Sequence, residues 1–290
     1  MKTVVTTAVG RKETLSILFK YVEKLYLLGL IDRWDWWLNC RSPKDMEYIQ
    51  QTAHENKRWI NLINCPVQDP KYPDVDCLRH FWQTAMDEDT IYVRFDDDII
   101  FIELGQFEKF VSVRKNNKSN LLIYPLIINN TLCSYRLQQL GTIPPTQPMI
   151  GERLGEHGGE WARGGCDPCD PVAWQNPHFT FNLHSSFIDS LEDLNIEKWR
   201  ANFTPWELSE YQTVSINSCA WHGSDIKSFN GQMPILSEEG SMVYHKPKDL
   251  GKFNLVDPTM IVAHYSFWPQ KDFLDRTNIL DKYRMIADRL

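Results

Sequence analysis

Three consecutive carboxylates, Asp96, Asp97 and Asp98, interrupt an otherwise apolar run, IYVRFDDDIIFIE over residues 91–103. If the run is strand, Asp96 and Asp98 point to the same side, because side chains alternate along β structure. Two carboxylates about 5 Å apart repel by roughly 3 kcal/mol at an effective dielectric near 20. A chain tolerates such crowding when positive charge sits between the acids, most simply a divalent cation held by hard oxygens. The plain alternative is a strand running into a solvated acidic turn, against which the apolar flanks IYVRF and IIFIE argue. His264, within MIVAHYSF, is either a hydrogen-bonded core residue or a nitrogen ligand. Cys166-x-x-Cys169 is a second metal candidate, but structural zinc needs four ligands, and His157 and His178 lie nearby without recognised spacing. Two free thiols explain that pair equally.

The elements that must position these residues alternate. Residues 4–9 (VVTTAV) read as a first strand, followed by a helix with Leu15, Leu18, Phe19, Val22, Leu25 and Tyr26 at helical spacing, ended by Gly29. Residues 34–39 and 59–64 read as second and third strands, with a helix opened by Pro43 between them. A helix over 75–86 precedes the fourth strand, 91–95, which delivers the acids at its carboxyl end. Such alternation indicates an α/β fold with a mostly parallel sheet, whose ligands bind beyond the carboxyl ends of the strands. No G-x-G-x-x-G or P-loop pattern occurs there.

The later chain reads as a helix over 106–114, a buried strand over 121–128 and a Gly/Pro-rich stretch over 141–177, taken as a flap. Beyond it, 178–191 and 199–214 read as short helices and strands of a second half, and 215–221 as a strand. A short helix over 238–246, capped by Ser237 and stopped by Pro247, precedes a strand over 260–267. One amphipathic helix over 272–290 closes the chain. The whole chain, 1–290, reads as a single domain, with 1–103 as its first half and 104–290 as its second.

A net charge of −7 with no Lys/Arg run gives no reason to expect nucleic acid as a partner. No apolar run is long enough to span a bilayer, and the first residues lack the form of a signal peptide. A soluble cytoplasmic protein is therefore expected, with its seven cysteines reduced. In that setting the N-x-S/T triplets at Asn117, Asn129 and Asn202 are chance.

An α/β half that ends a strand in Asp-x-Asp, with Glu238-Glu239 and His264 downstream, resembles the nucleotide-sugar-dependent glycosyltransferases of the GT-A fold. The texture of SINSCAW and HYSFWPQ looks most like members from large viruses, phages and bacterial surface-polysaccharide clusters. A viral member would work in the host cytoplasm.

The resemblance implies a Rossmann-like sheet with a mixed acceptor-binding half. It implies that Thr7, Val9 and Arg11 at the end of the first strand, with Asn39, seat the nucleotide. Asp96 would face the ribose with Asp97 beside it, and Asp98 the metal, with Asp96 and His264 as further ligands. Arg11, Arg41 and Arg79 are candidates to hold phosphates. Mn²⁺ or Mg²⁺ suits such oxygen ligands, and an added imidazole leans toward Mn²⁺.

For an inverting transfer, Glu239, with Glu238 close behind, is the candidate general base. The macrodipole alone also favours acids at a helix N-terminus, and retention stays open. Trp161, Trp174, His184, Trp221 and His222 are candidates for an acceptor pocket, though core packing explains each tryptophan as well. The implied activity is hexosyl or pentosyl transfer from a nucleotide-sugar donor to a glycan acceptor, as in polysaccharide biosynthesis. Two rivals stand beside it: a metal-dependent nucleotidyltransferase or phosphohydrolase, and a non-catalytic carbohydrate-binding protein.

Overall fold

In the computed structural model, which describes residues 1–65, 73–151, 169–234 and 237–290, strands and helices alternate through the first hundred residues. The order is β1 (Lys2–Val9), α1 (Lys12–Leu27), β2 (Arg33–Leu38), α2 (Pro43–Glu55), β3 (Ile60–Asn64), α3 (Pro73–Thr84) and β4 (Thr90–Phe95). In α1, Leu15, Leu18, Tyr21, Val22 and Leu25 recur at helical spacing and are all buried, so one stripe faces the core. Helix α2 starts where Ser42 accepts the Asp45 amide at 3.4 Å, with Pro43 in the first turn, where its missing N–H costs nothing.

Strands β1 to β4 pair in parallel, in the order β3-β2-β1-β4. The chain steps outward from β1 to β3, then returns to the other side of β1. Strand order therefore reverses between β1 and β4, and a crevice opens at their carboxyl ends. Beyond β4 the sheet continues through β8 (Ser218–His222), β6 (Ile123–Ile128), β9 (Leu255–His264) and β5 (Ile99–Ile102), and β7 (Trp206–Glu207) pairs with β9. The β8, β5 and β7 pairings are antiparallel, which makes a mostly parallel, mixed sheet of nine strands among the described residues. Flanking helices complete an α/β architecture, among them α4 (Phe107–Asn116), α5 (Thr131–Gln139) and α6 (Pro177–Glu192).

Much of the aromatic content is core. Trp34, Trp36, Trp37, Trp82, Trp199 and Trp221 are buried, and Tyr26 stacks on Trp59 at 4.8 Å. Each such ring removes about 150–250 Å² from water, roughly 4–6 kcal/mol of gross transfer free energy.

The structure departs from the sequence pattern in several places. Pro247 does not stop a helix. It lies in the first turn of a short helix, Lys246–Leu250, that follows a π-helical turn at Gly240–His245. The closing segment is two helices, Trp268–Leu274 and Ile279–Ala287, rather than one. Helix α5 was not anticipated, because its polar residues hide the apolar period. The described ends of the Gly/Pro-rich stretch are packed. Asp170 accepts the amides of Gly151 (3.0 Å) and Val172 (2.8 Å), and Gln270 donates to the Ala173 carbonyl at 2.9 Å.

Candidate active site

At the end of β4 the chain turns. The Ile99 amide donates to the Asp96 carbonyl at 3.0 Å, and β5 then leaves to pair with β9 instead of extending β4. Strand alternation stops at Asp96, so Asp96 and Asp98 do not share a strand face as the sequence predicted. An acidic turn is present, but it is buried: Asp97 is 3% exposed and Asp98 4%.

Arginine supplies the counter-charge. Asp97 Oδ2 accepts the amides of Gly10 (2.7 Å) and Arg11 (2.8 Å), and its Oδ1 accepts Arg11 Nε at 2.8 Å as well as the neighbouring guanidinium nitrogen. Asp97 thereby spans the crevice between β1 and β4 and sits at the N-terminus of α1, where free amides and the macrodipole favour an anion. The other arm of Arg11 lies 2.9 Å from Asp98 Oδ2, which is also 3.2 Å from His264 Nε2. His264 Nδ1 is 3.0 Å from the Asn129 carbonyl. Burial pushes the Asp98 carboxyl up, but Arg11 and His264 more than offset it and hold it well below the usual carboxylate range. Burial opposes protonation of His264, and Asp98 overcomes that and raises it.

Asp96 has a different partner. Its Oδ1 accepts Arg94 Nε at 2.7 Å, and Arg94 NH1 reaches Glu238 Oε1 at 2.5 Å. The Trp82 indole N–H donates to the same Glu238 oxygen at 2.5 Å. Burial pushes Asp96 up to about 7 despite Arg94, with Asp98 adding to the rise. Burial, then the adjacent Glu238, raises Glu239, which is half-buried. Arg94 was not singled out from sequence, although its place two residues before Asp96, on the same strand face, was a usable signal.

These groups border a cleft of about 650 Å³ lined by Ala8, Gly10, Arg11, Asn39, Arg41, Leu78, Arg94, Asp96, Asp97, Trp174, Glu238 and Glu239, among others. Gly10 is required by close approach: a Cβ there would lie 2.5 Å from the Asn39 carbonyl oxygen. Asp45, Asp96, Asp97, Glu238 and Glu239 face Arg11, Arg41 and Arg94, so the described lining is net acidic.

Of the residues singled out from sequence, Arg11, Asn39, Arg41, Asp96, Asp97, Trp174, Glu238 and Glu239 therefore come together at one cleft, and His264 stands behind it against Asp98. Others do not line it. Thr7 accepts the buried Trp34 indole N–H at 2.9 Å, and Val9 is fully buried, because the opposite strand phase, Ala8 and Gly10, faces the cleft. Leu78 takes the place expected of Arg79.

His184 is a core residue between the Tyr283 hydroxyl (3.0 Å) and the Tyr265 carbonyl (2.9 Å). Trp221 donates to the Ala85 carbonyl at 3.0 Å, and His222 Nε2 is 3.0 Å from the Arg114 carbonyl, so both belong to the core. Trp161 and Cys166 lie outside the described residues. His178 packs edge-on against Phe273 at 4.6 Å.

Among the described residues, no three His, Cys, Asp or Glu side chains converge to hold a metal ion. Asp96, engaged with Arg94, does not join Asp98 and His264 as the predicted third ligand. Asp98 Oδ1, however, is buried without a hydrogen-bond partner, beside an imidazole. One hard oxygen and one nitrogen fit a divalent cation of the Mg²⁺ or Mn²⁺ kind, which takes few protein ligands and completes its shell with phosphate and water.

No protein-family model and no curated protein matches the sequence. Among solved structures, the chain is similar to a mannosyltransferase from Pyrobaculum calidifontis in complex with GDP-Man and Mn²⁺ (9% identity, TM-score 0.48), covering 100% of this chain and 64% of that one. It is similar to CMP:2-keto-3-deoxy-manno-octonic acid synthetase complexed with CTP (9% identity, TM-score 0.48, 100% of both chains). A third is glucosyl-3-phosphoglycerate synthase from Mycobacterium tuberculosis in complex with Mn²⁺, UDP and phosphoglyceric acid (14% identity, TM-score 0.46, 99% of this chain and 74% of that one).

Proposed function

We propose that the protein is a glycosyltransferase that moves a sugar from a nucleotide diphosphate donor to a hydroxyl of a glycan acceptor with the help of a divalent cation. The observation that carries this reading is the acidic turn set across the strand-order switch, in a cleft that Glu239 also lines from the second half of the chain.

The cleft volume of about 650 Å³ suits a nucleotide-sugar. Asn39, at the end of β2, offers amide donors and an acceptor to a base, and Asp96 accepts from ribose hydroxyls. Arg41, exposed at the rim, presents a guanidinium to phosphate. The net acidic lining repels an unaccompanied diphosphate, which is the physical reason for a cation at Asp98 and His264. When bound, that cation supplies charge compensation for the leaving diphosphate.

Glu239, raised by burial, takes the proton of the acceptor hydroxyl. Glu238 cannot serve as freely, since Arg94 and Trp82 both hold its Oε1; it fixes the segment that presents Glu239. Trp174 packs edge-on against Trp268 at 5.7 Å, an aromatic wall suited to the C–H face of a sugar.

The test is a thermal-shift panel of UDP-, GDP-, CMP- and dTDP-sugars, each with and without Mn²⁺. A true donor stabilises by RT ln(1 + [L]/Kd), and turnover of a UDP-, GDP- or dTDP-sugar releases the nucleoside diphosphate rather than pyrophosphate. A response confined to CMP-sugars, which release a monophosphate, contradicts the diphosphate donor. No response to any nucleotide contradicts the proposal.

A further inference from the structure

Asp98 and His264 are within reach of each other, yet Asp98 is 4% exposed and is not part of the cleft lining. The group that does line the cleft in front of it is Arg11, whose side chain is 47% exposed. Its guanidinium bridges two carboxylates unequally. Asp97 accepts two of its nitrogens and also the Arg11 and Gly10 amides, whereas Asp98 receives one arm only, at 2.9 Å. The Asp98 contact is the weaker one and the Asp97 contact is the tether. Asp98 Oδ1, meanwhile, has no partner.

We infer that Arg11 is a gate on the cation site. In the ligand-free protein its guanidinium acts as the counter-ion of Asp98 and keeps divalent metal from Asp98 and His264. A phosphate-bearing ligand in the cleft draws that arm away, because planar guanidinium prefers the paired oxygens of a phosphate to a single carboxylate oxygen. The cation then enters against Asp98 Oδ1, and nucleotide and metal bind in order, nucleotide first. Removing the guanidinium replaces one positive charge that Asp98 already holds, so like-charge exclusion of a divalent ion is relieved at the same time. The inference rests on the nucleotide-donor reading for what opens the gate, but not for the gate itself.

The experiment is Mn²⁺ titration followed by loss of the free-ion EPR signal, on wild type, Arg11→Gln and Arg11→Lys, each first shown to melt cooperatively. Wild type is expected to bind Mn²⁺ alone at least tenfold more weakly than in the presence of UDP or GDP. Arg11→Gln is expected to bind Mn²⁺ alone at least tenfold more tightly than wild type. Arg11→Lys, which keeps the charge but cannot bridge both acids, should fall between them and decides the matter should the glutamine variant not fold. Adding Asp98→Asn to either variant should abolish the gain. Equal Mn²⁺ affinity in wild type and both variants overturns the gate. Failure of UDP, GDP, CDP and dTDP to alter Mn²⁺ binding or melting of wild type overturns the nucleotide reading instead, while the comparison with metal alone still decides the role of Arg11.

Discussion

Arg94, on β4, binds Glu238 Oε1 at 2.5 Å through one arm while its Nε binds Asp96 at 2.7 Å, so a single buried guanidinium ties the acidic turn to the segment that carries Glu239. The Phe81 ring lies 5.3 Å from its Cζ, so the ion has an aromatic face as well as two carboxylates. Arg94→Met leaves both acids in place without their counter-charge. A loss of about 3–5 kcal/mol in urea unfolding is expected, the cost of breaking a buried pair from one side. A loss below about 1 kcal/mol would mean that water reaches the pair.

The two glutamates should separate by role. Glu239→Gln is expected to lower kcat by roughly 10²–10⁴ with the melting temperature nearly unchanged, since the proposed general base is removed from a half-buried position. Glu238→Gln is expected to lower stability first, because it discharges the partner of Arg94 and Trp82. Equal effects of the two on kcat would contradict the assignment.

Asp96 sets a pH dependence with opposite signs for activity and stability. Its folded pKa, raised to about 7 from 3.8, means that the folded protein holds a proton which the unfolded chain has released. Stability from this group is therefore greatest at the acid end and falls as pH rises from about 4 to about 7. Asp96→Asn should melt above wild type at pH 8 and draw level with it only below about pH 4. The acid limb of kcat/KM in the wild type should bend near pH 7, where Asp96 ionises.

His184 works the other way. Burial lowers it from 6.5 to about 4, so the unfolded chain binds a proton that the fold refuses, and stability falls as pH drops through that window. The full effect is about 3 kcal/mol. His184→Gln should flatten the pH dependence of unfolding between pH 6.5 and 4 by up to one proton; an unchanged slope would place the imidazole in contact with water.

Gly10→Ala forces a Cβ to within 2.5 Å of the Asn39 backbone oxygen, which cannot swing aside as a side chain can. A cost of about 1–3 kcal/mol is expected from overpacking, with weaker nucleotide binding because the ends of β1 and β2 spread. Calorimetric binding together with a melt separates the two consequences.

The alternation of β1 to β4 with α1 to α3 was legible because buried parallel strands and amphipathic helices repeat their apolar residues at short range. The crowding of Asp96, Asp97 and Asp98, and their need for positive charge, was also written locally. The identity of that charge was not. Arg11 meets Asp97 from 86 residues away, and Arg94 meets Glu238 across 144, so no window of sequence contains either pair. Strand phase was the other blind spot. Thr7 and Val9 lost their expected places to Ala8 and Gly10 through a shift of one residue, which moves a side chain to the other face of the sheet. His184, Trp221 and His222 read as site residues by type alone, and their hydrogen bonds to Tyr265, Ala85 and Arg114 could only be seen in three dimensions.

The central claim is tested most directly by a crystal grown with donor nucleotide diphosphate and Mn²⁺, with anomalous data collected at the manganese edge. The account predicts the diphosphate in the cleft between the ends of β1 and β4, the Arg11 guanidinium turned toward it, and an anomalous peak within coordinating distance of Asp98 and His264. A nucleotide bound elsewhere, or a manganese peak remote from Asp98 while Arg11 still bridges Asp97 and Asp98, would contradict it.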